Sequence, residues 1–150
     1  MSARIMAALL NDDLAPLVIE RAAALAAGAE PAALLYVAVI DSGSLAALEY
    51  VDDTVEPRVR LEEEAGFAFE EARTIARRRG LEPETAVLRA VDRDLADVLA
   101  AQAADWRATT IVLGEPRRGA LLRRLSRTTA DAVEKEVGST VSVVRVRPVP

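Results

Sequence analysis

The residues best placed for chemistry lie near the C-terminus, between a predicted strand and a predicted helix. The predicted strand 109–113 ends at Gly114, and a basic loop then leads to a helix over 126–137. The first turn of a helix has unpaired N–H groups and partial positive charge, and both favour a phosphate. Gly114 lets either a ligand approach the backbone or the chain turn. Hydroxyls such as that of Thr128 either cap the helix or donate to an oxyanion. The pattern predicts an anion site.

Positive charge is concentrated in this loop, although the chain as a whole is acidic. The net charge is −5, yet positions 117–127 contain five arginines and no acid. The five are Arg117, Arg118, Arg123, Arg124 and Arg127. An acidic balance argues against general nucleic-acid binding, so we predict no nucleic-acid partner. The local cluster favours a discrete anion, and a solvated loop and helix end is the alternative interpretation.

Several kinds of catalytic site are excluded by composition. The chain has no cysteine and no histidine. This removes disulfides, thiolate nucleophiles, zinc sites of the usual ligand set and histidine acid–base catalysis. Because no nucleophile is paired with a base, we predict a protein that is not an enzyme, or at most a slow ATPase. The acidic pairs 12–13 and 52–53 are interpreted as caps or loops rather than cation sites, so we predict no metal.

No segment of the sequence suggests a membrane location. The apolar runs fall short of the roughly 18 residues of a membrane span. The first residues do not have the pattern of a signal peptide. We therefore expect a cytoplasmic protein without membrane insertion, and its 150 residues fit a single domain, 1–150.

The elements that must position the loop are five strands alternating with helices. Strands are predicted over 4–10, 33–40, 84–91, 109–113 and 140–147, and helices over 14–28, 45–50, 57–79, from 94 onward and 126–137. Such alternation predicts an α/β fold, a three-layer α/β/α sandwich around a five-stranded parallel sheet. Run 33–40 is apolar on both faces, as in an interior strand, whereas 84–91 alternates and is placed nearer an edge.

In open parallel sheets, ligands bind beyond the carboxyl ends of the strands, where the strand order reverses. The predicted rim is formed by residues 10–12, 39–41, 91–92 and Gly114. The basic loop leaves the sheet at this rim.

Several segments resemble the universal stress protein family, and the resemblance extends from Arg4 to Arg147. Its best parts are 4–9, 34–37, 94–99, 111–114 and 139–145. The resemblance implies a Rossmann-like fold of the adenine nucleotide alpha hydrolase type. It also implies a regulatory role in the stress response, with ATP or AMP as the candidate ligand.

Family members with an ATP site carry a glycine, two residues, a second glycine, nine residues, and then a glycine followed by Ser or Thr. In this chain Gly114 matches the first glycine and Thr128 the closing hydroxyl residue. Arg117 and Arg127 occupy the second and third glycine positions. The resemblance therefore implies a site in which only part of the motif is retained.

The resemblance also locates the rest of the site. The acidic residue that such members place after the first strand corresponds to Leu10, with Asn11 and Asp12 next to it. Val37 stands where a residue lining the adenine pocket is expected, and Gly119 would shape the loop together with the first glycine.

The two arginines at glycine positions leave two outcomes open. Arg117 and Arg127 either fill the phosphate pocket and abolish triphosphate binding, or bind phosphate themselves through charge-assisted forks. The absence of an acid at Leu10 favours the first outcome. The alternative function is a regulatory or interaction domain that binds no nucleotide, including the cytosolic part of a membrane transporter.

The last strand supplies the predicted partner surface. Universal stress proteins commonly dimerise through this strand, which here carries Val141, Val143, Val144 and Val146. Because an unpaired apolar edge invites a second strand, we expect a homodimer.

Overall fold

Five parallel strands form one sheet in the computed structural model, which describes residues 2–10, 14–29, 31–41, 57–90, 95–115 and 129–148. The strands are β1 (Ala3–Leu9), β2 (Ala32–Asp41), β3 (Glu84–Ala90), β4 (Thr110–Gly114) and β5 (Ser142–Val146). The helices are α1 (Ala15–Ala27), α2 (Pro57–Arg78), α3 (Leu95–Trp106) and α4 (Thr129–Val137). The predicted helix over 45–50 lies outside the described residues.

The strand order is β3-β2-β1-β4-β5, and every pairing is parallel. The predicted α/β class with a five-stranded parallel sheet is therefore confirmed. β3 lies at one edge, as its alternating pattern predicted, and β2 lies in the interior between β3 and β1. The order reverses between β1 and β4. The chain adds β2 and then β3 on one side of β1, and afterwards adds β4 and then β5 on the other side. This reversal is the place where such sheets bind ligands.

The two faces of the sheet carry separate aliphatic cores. Tyr36 and Val112 face α1 and α2, whereas Leu35 and Ile111 face α3 and α4. Successive residues of a strand point to opposite faces, so the strands must be apolar at nearly every position. Alanines supply much of the helix surface against the sheet, including Ala22, Ala26, Ala72, Ala76 and Ala103.

Two long-range contacts connect the layers. The buried Tyr36 hydroxyl donates to the carbonyl of Ile19 in α1, with an O···O distance of 3.1 Å. At the amino ends of the strands, the Arg4 guanidinium lies 4.1 Å from the centre of the Trp106 ring, and its Nε donates to the Trp106 carbonyl. Trp106 Nε1 in turn donates to Glu84. Trp106 thus packs against β1 and β3, as a structural residue would.

β5 begins later than predicted. Gly138 has a φ of +68°, and residues Gly138–Thr140 form a 3₁₀ turn after α4. The Thr140 hydroxyl donates to the carbonyl of Val137, so this residue closes the helix. The strand therefore starts at Ser142, because the turn uses the residues that the apolar pattern assigned to the strand.

Candidate functional site

The candidate site lies where the carboxyl ends of β1 and β4 meet. β1 ends at Leu9, and Leu10 is half-buried against the core under α3 and α4. β4 ends at Gly114, one strand away across the point where the order reverses. The sheet therefore positions Gly114 at the rim that the sequence predicted.

Leu14 fills the space in which a side chain at position 114 would lie. A β-carbon at Gly114 would lie 2.9 Å from both Cβ and Cδ1 of Leu14, a distance that real β-carbons essentially never show. Leu14 is the N-cap residue of α1, with no side-chain capping bond, and is 5% exposed. Gly114 does not have a positive φ. The close approach of Leu14, rather than a turn, therefore explains the glycine.

The residue after Gly114 is held by the end of β5. The Glu115 amide donates to the Val146 carbonyl over 2.7 Å. Its carboxylate, whose side chain is 12% exposed, accepts bonds from Arg145 Nη1 at 3.2 Å and from Arg147 Nε at 3.1 Å. Glu115 is thus anchored by both backbone and side chain.

Arg145 also binds the start of α4. Its Nη1 lies 2.7 Å from Asp131 Oδ1, and its Nη2 lies 2.7 Å from Glu134 Oε2. The hydrogen bonds to Glu134, followed by those to Asp131, raise the pKa of the Arg145 guanidinium above its ordinary value. Sequence reasoning did not identify Glu115 or Arg145, because their partners come from distant parts of the chain.

The charge balance of this cluster bears on anion binding. Three carboxylates, of Glu115, Asp131 and Glu134, are bound to the guanidinium groups of Arg145 and Arg147. The described cluster therefore has one more negative than positive charge. Asp131 also lies in the first turn of α4, where a carboxylate is favoured by the helix dipole. This cluster therefore supplies no net positive charge for an anion.

The predicted site residues are only partly covered by the structure. Gly114 lies at the rim, whereas Val37 has no exposed surface and packs in the core under α3 and α4. Val39, on the same face and nearer the carboxyl end of β2, is half-buried. The remaining site residues, Asn11, Asp12, Arg117, Gly119, Arg127 and Thr128, lie outside the described residues. Their grouping in one site stays a prediction, as does the assignment of Val37 to a base pocket.

A cavity of about 360 Å³ lies elsewhere, between α3 and α4. Its walls include Ala103, Ala104, Arg107, Val137 and Val141. These residues lie at or just after the ends of the two helices and just before β5, at the opposite end of the sheet from Gly114. Among the described residues, this cavity is separate from the reversal point.

The family model of the universal stress protein family matches residues 1–145. The chain belongs to the universal stress protein family. The predicted resemblance is therefore confirmed over nearly the whole chain. A comparison with curated proteins gives no match.

Solved universal stress proteins share the fold. One crystallised in complex with cAMP has 16% identity and a TM-score of 0.69, over 97% of this chain and 96% of that one. One from Burkholderia pseudomallei has 21% identity and a TM-score of 0.67, over 96% and 95%. One from Archaeoglobus fulgidus in complex with dAMP has 20% identity and a TM-score of 0.59, over 97% of each chain.

The described parts of the chain contain no group of three or more acidic residues arranged to hold a metal ion. Within the same ranges, none of the helices has the length and apolar character needed to cross a bilayer.

Proposed function

We propose that this universal stress protein is a regulatory stress-response protein that binds an adenine nucleotide, ATP or AMP, at the rim between β1 and β4. The observation that carries the proposal is the reversal of strand order at Gly114, next to the basic segment and α4. Relatives of the same fold were crystallised with cAMP and dAMP, which supports an adenine nucleotide as the ligand class.

In this proposal the phosphate is bound from the C-terminal side of β4. Arg117 and Arg127 contact it through charge-assisted bonds, with Thr128 and the first turn of α4 as further donors. Gly114 and Gly119 shape the loop. The other proposed contributors are Val37 of β2 and, after β1 in the sequence, Asn11 and Asp12.

Isothermal titration of the purified chain with ATP and with AMP tests this proposal. We expect saturable binding of at least one nucleotide below millimolar concentration. The double substitution Arg117→Gly with Arg127→Gly then separates the two roles of the arginines. Affinity falls if they bind phosphate, and affinity for ATP rises if they fill the pocket. The double substitution Arg21→Ala with Arg78→Ala removes the same charge from exposed helix positions and serves as the control.

A second candidate function is a regulatory or interaction domain that binds no nucleotide, including the cytosolic part of a membrane transporter. Leu14 against Gly114 and the full burial of Val37 favour it, because neither the side-chain side of Gly114 nor Val37 is open to a ligand. Titration without saturation at millimolar nucleotide would select this function over the first. Membrane spans elsewhere in the complete reading frame would identify the transporter case.

The proposal also covers catalysis, location and oligomeric state. In this proposal the protein acts by binding and not by catalysis, because its sequence suggests no nucleophile paired with a base. Its location is the cytoplasm, and its oligomer is a dimer joined through β5. Assay of phosphate release from ATP checks the first point, and a sustained turnover well above the rate of the buffer alone would overturn it.

A further inference from the structure

We infer that Arg145 is a positioning residue that sets the spacing between the end of β4 and the start of α4. These two elements border the segment 116–128, which the proposed function places at the phosphate. The effect of Arg145 on nucleotide affinity rests on that proposed function, whereas its effect on α4 does not.

The geometry of a single side chain carries this inference. Arg145 Nη1 contacts Glu115, the last described residue before the segment, at 3.2 Å. The same guanidinium contacts Asp131 and Glu134, in the first two turns after the segment, each at 2.7 Å. One planar group therefore connects the two elements between which thirteen residues of chain run.

Burial and register make the connection rigid. The side chain of Arg145 is 21% exposed, and that of Glu115 is 12% exposed. Arg145 pairs with Leu113 in the β4–β5 ladder, one residue before Gly114. A guanidinium offers several N–H donors in one plane, which a lysine or a neutral side chain does not. The three carboxylates thus share one donor group that the sheet itself holds in place.

Arg147 provides a matched control within the same cluster. Its Nε contacts the same Glu115 carboxylate at 3.1 Å, but its side chain is 74% exposed. Among the described ion pairs, Arg147 has none with α4. Replacing either arginine by methionine removes one positive charge and one bond to Glu115, but only Arg145→Met also removes the bonds to Asp131 and Glu134 of α4.

The experiment compares Arg145→Met, Arg147→Met and the original chain by hydrogen exchange, followed by mass spectrometry of peptides from α4 and β1. We expect Arg145→Met to raise the exchange rate of α4 amides about tenfold, as for the loss of a small ion-pair network, with β1 unchanged. Arg147→Met is expected to change the exchange rate of the α4 amides less than twofold. Equal effects of the two variants on α4 would overturn the inference.

A second pair of variants breaks the same connection from the helix side. Glu134→Gln removes the carboxylate that binds Arg145 Nη2, and Glu136→Gln removes an exposed carboxylate from the same helix. Faster α4 exchange in Glu134→Gln, and not in Glu136→Gln, supports the inference. This pair keeps the inference testable if Arg145→Met does not fold.

Titration with AMP supplies the functional arm. If the original chain binds AMP, we expect Arg145→Met to weaken binding about tenfold and Arg147→Met to weaken it less than threefold. Equal weakening would overturn the effect on affinity. If the original chain binds no nucleotide, the proposed function fails, while the exchange arm still decides the role of Arg145 in placing α4.

Discussion

Leu14 and Gly114 are one hundred positions apart in the sequence, yet a β-carbon on the glycine would lie 2.9 Å from two side-chain atoms of the leucine. The start of α1 and the end of β4 therefore fit together only when residue 114 has no side chain. This contact lies at the reversal of the strand order, at the rim of the candidate site.

Gly114→Ala is expected to lower the free energy of unfolding by about 1–3 kcal/mol, because the buried Leu14 must move away. Urea denaturation measures the loss. Gly66→Ala is the control, since Gly66 lies in α2 with no atom within 4 Å of a β-carbon. Replacing a helical glycine in open space by alanine should raise the free energy of unfolding by roughly 0.5–1 kcal/mol. Equal stability of Gly114→Ala and the original chain would show that the contact is not tight.

Tyr36→Phe is expected to change how stability depends on pH. Burial raises the pKa of the Tyr36 hydroxyl above its ordinary value near 10. Above pH 10 the unfolded chain therefore loses this proton while the folded chain keeps it, so stability falls as pH rises. The variant lacks this hydroxyl, so its free energy of unfolding should decline less between pH 10 and 11. Parallel declines in the two proteins would contradict the assignment.

The same variant should be less stable at neutral pH, by about 1 kcal/mol, because the carbonyl of Ile19 loses the hydrogen bond from the hydroxyl. Thermal unfolding at pH 7 measures this loss. At neutral pH Tyr36→Phe should be less stable than the original chain, whereas above pH 10 its stability should fall less steeply. The two effects can therefore be measured separately.

Arg4→Met should alter the only tryptophan of the chain. Arg4 lies over the Trp106 ring and donates to its carbonyl, and both interactions are lost in the variant. We expect a loss of about 1 kcal/mol and a shift in the emission maximum of Trp106. Arg21→Met, an exposed position of α1, is the control. An unchanged emission spectrum in Arg4→Met would refute the stacking.

Val143→Lys tests the proposed dimer. The Ser142 amide donates to Thr109, and the Val146 carbonyl accepts from Glu115, so the backbone groups of Val143, which alternate with these, face away from β4. A lysine here should convert the dimer to a monomer in sedimentation velocity. Because the Val143 side chain also packs against the core under α3 and α4, circular dichroism must show that the variant is folded. Val87→Lys places the same charge at the β3 edge and should leave the dimer intact. A monomeric original chain, or a dimer that survives Val143→Lys, would contradict the proposal.

Much of the fold could be predicted because its signals are local. The run 33–40 is apolar on both faces, which indicates a strand buried between two layers, and β2 follows. The alternating pattern of 84–91 placed β3 at an edge correctly. The late start of β5 was missed, since the turn at Gly138–Thr140 depends on the positive φ of Gly138 and on the end of α4.

The candidate site could be predicted only in position. Gly114 was placed at the rim, because strand ends follow from the sequence and the rim follows from the parallel sheet. Its neighbour Leu14 was not predicted, and neither was the binding of Glu115 by Arg145. No short spacing links these residues, so no motif could indicate them.

The amino-acid sequence alone determined the order of the elements, the parallel sheet, the family and the concentration of arginines after β4, because periodicity, composition and motif spacing are properties of neighbouring residues. Only the tertiary structure decided what faces Gly114, which carboxylates Arg145 binds and where the Tyr36 hydroxyl donates. Those contacts join residues from different elements, and their distances are set when the helices pack against the sheet.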